Sequence, residues 1–279
     1  MMSFLASTAY MGALCSANPV INIDECPKEY TRISLGAQYS QIQEKSQNPN
    51  NPNSQNHRLN NAIYAGYLNL EGGIANKTNR LHFVLSGKIG AGKISASKSS
   101  ASKSSGGEQN IQFSGISFAK ENLAIFGEIK PKAGINLAHK KYSLYLNLAY
   151  TFEAYTSRKK NNGGYSYLFH YLGTELEGVI PIGQRFALEY STGYDWLFSG
   201  GYGFEGAKDS SLSAFSLNGH SYALNASVGF SYGLNNGRLY FCKLIGKYQN
   251  LGASKPTSEG LSMPHLKNLI GLLEVGIGF

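Results

Sequence analysis

The last twelve residues constrain the fold most. From Asn268 to Phe279, alternate positions carry Leu269, Gly271, Leu273, Val275, Ile277 and Phe279, while the positions between them include Asn268, Glu274 and two glycines. Successive side chains of a strand point to opposite faces, so period-two alternation gives one uncharged face and one that can hold polar groups. The first face suits lipid and the second suits water or packed polar partners. Nowhere does the chain reach about 18 consecutive apolar residues, so no transmembrane helix is expected. A mean hydropathy of −0.24 suggests a soluble chain, but a membrane strand is apolar only at every second residue and averages miss it.

The same alternation recurs along the chain. It predicts strands over about 31–42, 61–72, 80–93, 123–137, 141–155, 165–182, 186–198, 219–233 and 238–249, followed by the closing strand. The content of 33 Gly, 19 Tyr and 14 Phe matches the rings and close-packed backbone that such strands need. Connections alternate short (72–79, 138–141, 183–185, 235–237) with long (43–60, 94–121, 157–164, 199–217, 250–266). Asn235-Asn236-Gly237 is a strong hairpin signal. Short turns fall on the side of both termini. The expected fold is therefore all-β: a closed antiparallel transmembrane β-barrel of about ten strands, with short periplasmic turns and long extracellular loops. Residues 111–118 alternate weakly. As a spanning strand they would make the count eleven, an odd number that single-chain bacterial barrels avoid, so they read as an arm above the membrane. The tandem pentapeptide at 95–99 and 100–104 (Ser-Ala-Ser-Lys-Ser twice) reads as solvated and length-tolerant. Residues 1–17 read as a signal peptide ending in Cys15-Ser16-Ala17, with no Lys or Arg before Lys28. Acylation of Cys15 is the rival reading. Residues 18–30 form a periplasmic leader, and 31–279 form one barrel.

Candidate functional residues follow from strand parity. Lys88, Glu128, Lys130, Lys132, Glu153, Glu175, Glu177, Glu189, Lys243, Lys247 and Glu274 fall on the inward face. In a narrow lumen such mixed charges pair into a plug, and a small pore lined by both signs is the alternative. Glu177 and Glu189 lie on neighbouring strands and would repel, so a cation such as Lys130, Lys132 or Lys243 is expected between them. Asp195, Asp209, His220 and Ser221 are expected at the extracellular rim, where a rim hydrolase would need a base beside its nucleophile. His170 falls on the lipid face as a girdle residue, while His57, His139 and His265 fall in separate loops or turns, with no metal cluster. Of the three cysteines, Cys15, Cys26 and Cys242, none has metal-ligand spacing, and Cys242 faces lipid. The net charge of +8 comes without a nucleic-acid-binding motif, so the expected anionic partner is lipopolysaccharide phosphate or an external polyanion. Arg158, Lys159 and Lys160 form a basic patch on the third long loop that would bind lipopolysaccharide phosphate or a host glycan. No cofactor is expected.

A closing strand that ends on Phe279, alternating Tyr-rich strands and Asn/Lys-rich low-complexity loops together resemble small Gram-negative outer-membrane β-barrel proteins. The composition is similar to the Helicobacter-type outer membrane protein families. That resemblance implies an integral outer-membrane location. It also implies that Leu273, Val275, Ile277 and Phe279 form the signal read by the barrel-assembly machinery, on a strand that closes against the first. Such families imply surface-exposed adhesins, porins or structural barrels. The expected role is a non-enzymatic barrel displaying variable loops, with a narrow porin and a rim hydrolase as alternatives.

Overall fold

The computed structural model describes residues 29–46, 57–76, 80–98, 122–138, 143–159, 165–182, 184–204, 213–214, 220–234, 237–253 and 265–279. They form β1 (Glu29–Ser46), β2 (His57–Ala75), β3 (Leu81–Lys98), β4 (Asn122–Asn136), β5 (Ser143–Lys159), β6 (Tyr165–Pro181), β7 (Phe186–Phe204), β8 (Ser213–Ala214), β9 (Tyr222–Gly233), β10 (Leu239–Leu251) and β11 (His265–Gly278). Each wall strand pairs antiparallel with the next; β6 pairs with β7 and β11 with β1, so the sheet has no free edge. The two-residue β8 only extends β7 at its outer end, which leaves ten strands in the wall. They run from 12 to 19 residues, more than the roughly 9–11 a tilted strand needs to cross.

Alternation sets which face meets lipid. Leu35, Ile89, Leu148, Phe230, Leu244 and Leu273 are each more than half exposed, and all point outward. Outward rings collect near both ends of the strands: Tyr39, Tyr64, Tyr194 and Trp196 toward the long loops, Phe186, Tyr240 and Phe279 toward the termini. These are the two belts expected where a barrel wall meets the two membrane surfaces. On β7 a bulge shifts the register: His170 faces Ser199 and Tyr171 faces Leu197, leaving Phe198 as the extra residue on the outer wall.

Short turns are closed by local chemistry. The Asn76 side-chain oxygen accepts from the Arg80 and Leu81 amides at 2.8 and 3.1 Å, and the Asn136 oxygen accepts from Ala138 and Leu144 at 3.0 and 3.2 Å. Gly237 takes φ 81°, the left-handed conformation that a glycine at this turn position supplies. At the seam, the Thr31 and Phe279 backbones exchange two hydrogen bonds of 2.8 and 3.2 Å.

Several expected boundaries move outward. β1 begins at Glu29, so the last leader residues belong to the wall, and Tyr30 packs its ring over Gly73. β2 starts at His57 and ends at Ala75, β3 runs to Lys98, β5 to Lys159 and β7 to Phe204, taking in residues expected in loops or turns. His57 and His265 therefore lie on strands. Polar strand ends lose the alternation that marks them in the sequence. Ser95–Lys98 belong to β3. The rest of the tandem repeat, the 111–118 arm, the 1–28 segment with Cys15 and Cys26, His139, Lys160 and Asp209 all lie outside the described residues.

Candidate functional site: the packed lumen

A narrow cylinder leaves little room along its axis, so inward positions must match large against small. Tyr67 on β2 lies over Gly36, its direct partner on β1, so closely that a Cβ there would sit 2.1 Å from the ring. Phe126 covers Gly90, and Phe241 covers Gly276, again as direct cross-strand partners. Each glycine leaves room for a ring that lies over the neighbouring strand.

Ions occupy the half toward the termini and the middle. Arg32 Nη1 and Nη2 donate to Glu189 Oε2 and Oε1 at 2.8 and 2.9 Å, a two-pronged pair across the barrel, with Glu71 at 3.9 Å. Lys132 donates to Glu177 and, at 3.1 Å, to Glu175, which also accepts from Lys130 at 2.5 Å. His82 bonds Asn147 and stacks on Tyr145 with centroids 3.7 Å apart. At mid-height Lys247 joins Glu128 at 3.2 Å to Glu153 at 2.7 Å, while Lys88 reaches Glu128 at 3.4 Å. Glu153 further accepts from Gln249 and Tyr167, and Glu274 accepts from Ser34, Tyr67 and Asn69. Lys243 stands directly opposite Glu274.

The half toward the long loops is mostly apolar, with Asn61, Gln249 and Asn268 buried among its hydrophobic side chains. Ile42, Ile63, Ile94, Phe126, Phe169, Leu197, Ile270 and Leu272 are buried inside the wall, with Tyr155 and Tyr167 stacked at 4.9 Å and Tyr167 and Phe169 at 4.2 Å. Between the halves lies a cavity of about 30 Å³, lined by Ser40, Lys88, Glu128, Glu153, Lys247 and Asn268 among others. That is room for little more than a water molecule.

The charges assigned inward by strand parity lie on the lumen side of the described wall, and Lys132 reaches Glu177. The cation on Glu189, however, is Arg32, from the opposite end of the sequence. The apolar upper plug was not anticipated either, although parity alone puts those side chains inside. Asp195 is not at the rim: it is buried within the lumen, accepting from Asn225 Nδ2 at 2.9 Å. Ser221 is also inward and buried, its hydroxyl accepting from the Gly252 amide at 2.9 Å, whereas its neighbour His220 is exposed. The rim pair of base and nucleophile that the alternative hydrolase reading would need is not assembled among the described residues. His170 lies on the outer wall as expected, with Nδ1 2.7 Å from the Tyr150 hydroxyl. Cys242 is free and exposed on the outer wall, and the described residues hold no metal-binding cluster. Leu273, Val275 and Ile277 project outward from β11, the strand that closes against β1. Arg158 and Lys159 are the last residues of β5 instead of a loop.

No family model matches this chain, and no curated protein does. Among solved structures, it is similar to the outer membrane protease OmpT from Escherichia coli, with TM-score 0.59 and 11% identity over 90% of this chain and 96% of that one. It also aligns with an outer membrane channel from Pseudomonas putida, at 0.42 and 11% over 94% and 99%. The autotransporter NalP translocator domain from Neisseria meningitidis aligns at 0.39 and 12% over 89% and 88%. At these identities the likeness is one of fold. Closed sheet, lipid-facing wall and ringed ends define an integral β-barrel, and the protein belongs in the bacterial outer membrane.

Proposed function

We propose that this protein is a non-conducting, non-enzymatic barrel whose role is to hold its long loops at the cell surface, adhesin-like, as in the Helicobacter-type families its composition resembles. The observation that carries the reading is the filled lumen, ionic below and aromatic above, with Phe169 and Tyr171 each 1% exposed. A porin would need a continuous aqueous path, and here Ile42, Ile63, Phe169, Tyr171 and Leu272 are buried inside the wall where such a path would run. The likeness to a protease is one of wall architecture, and the described rim lacks a paired base and nucleophile. Single-channel recording in planar bilayers tests the proposal. The refolded protein should give no steady conductance, and exchanging its long loops for short turns should abolish binding to host cells or glycans while the barrel persists. Large, stable wild-type channels would replace this reading with the porin.

A further inference from the structure

Carboxylates in the described wall keep almost wholly to the inside. Apart from Glu29 at the periplasmic end, each described carboxylate occupies an inward position. The outward positions in the extracellular half whose side chains are described hold no Asp or Glu, yet they include Lys93 and Lys267. A merely solvated rim would mix both signs.

The cations concentrate on one sector, β11–β1–β2–β3. Tyr39 and Tyr64 mark the belt there, paired across β1 and β2 with centroids 5.2 Å apart. Above them the outward positions of β1 turn to amides, Gln41 and Gln43. Lys93 flanks Tyr64 on one side, and Lys267 flanks Gln43 on the other. Side-chain amides suit sugar hydroxyls, ammonium groups suit phosphate, and tyrosines suit the boundary where acyl chains begin.

We infer that this sector is a docking site for the phosphorylated sugar headgroup of lipopolysaccharide, with Lys93 and Lys267 contacting phosphate and Gln41 and Gln43 contacting hydroxyls. The site lies on the outer wall, independent of whether the lumen conducts; it depends only on the outer-membrane location. It also differs from the loop patch read from the sequence, of which only Arg158 holds an outward register position on the described wall.

The test is titration of the full-length refolded protein in detergent, without divalent cations, using purified lipopolysaccharide and the same lipid after dephosphorylation. The single tryptophan, Trp196, reports unfolding. Lipopolysaccharide should raise the denaturant midpoint, and dephosphorylation should remove most of that shift. The double variant K93Q/K267Q should bind about thirtyfold more weakly, roughly fivefold per cation. Unchanged heat-modifiable migration of the variant would show that the barrel itself is intact. If the variant misfolds, K93R/K267R, which keeps the charge, and the wild-type phosphate dependence still decide. Equal stabilisation by the dephosphorylated lipid, full binding by a folded K93Q/K267Q, or equally effective competition by heparin would overturn the proposal.

Discussion

Replacing Arg32 with methionine should be among the most damaging single changes to the wall. Its guanidinium makes two hydrogen bonds to Glu189, and the two side chains are only 12% and 8% exposed. It also lies 5.2 Å from the Phe241 centroid and 5.5 Å from that of Tyr30. Removing one partner of a buried pair strands the other, which costs about 3–5 kcal/mol, whereas replacing both by apolar groups is often close to neutral. R32M should therefore lower stability by about 4 kcal/mol, and R32M/E189M should recover most of that loss. With a urea slope of about 2 kcal/mol per molar, the single variant's midpoint falls by about 2 M. R32K should lie between the two, because an ammonium cannot match the two-pronged geometry. Urea titration of vesicle-inserted protein, followed by Trp196 fluorescence and heat-modifiable migration, measures all three. A shift under about 0.5 M for R32M, or a double variant as weak as the single, would refute the account of Glu189 as a charge held by Arg32.

Phe279→Asp should prevent outer-membrane assembly while leaving synthesis intact, since it puts a charge on the outer wall beside the seam bonds to Thr31; normal amounts of heat-modifiable protein in the membrane fraction would contradict this. Gly36→Ala should cost about 1–3 kcal/mol by forcing the Tyr67 ring aside, whereas Gly87→Ala, whose Cβ would meet nothing within 4 Å, should be neutral or slightly stabilising in the same urea assay. Phe169→Ala together with Tyr167→Ala should raise bilayer conductance from its closed baseline, because the pair stacks within the apolar half of the lumen; persistent silence would show that the ionic half seals alone.

Much of this architecture could be read from parity. A residue's odd or even position within a strand assigns its face, and that was enough to put Lys130, Lys132, Glu175 and Glu177 inside together. Parity says nothing about azimuth. Arg32 and Glu189 are 157 residues apart and meet only because the cylinder brings β1 and β7 to face each other, a relation set by strand order and tilt. Asp195 was misplaced for a related reason: β7 continues to Phe204, so a residue expected near the loop lies well inside the wall. His57 to Asn60 read as loop because only Leu59 among them is apolar, yet their backbones pair in the sheet.

The ring-over-glycine rungs limit how this lumen can change. Gly36 and Tyr67, and Gly73 and Tyr30, each divide a fixed volume between two strands, the nearest atoms to either glycine being those of the ring. Enlarging either member alone overfills the rung, and shrinking the ring alone leaves a void, so neither position is free to drift by itself. What conserves the sum is an exchange, large for small across the same rung. In a set of diverged relatives, these positions should therefore substitute in opposed couples, so that the size of one side chain predicts the size of the one beside it.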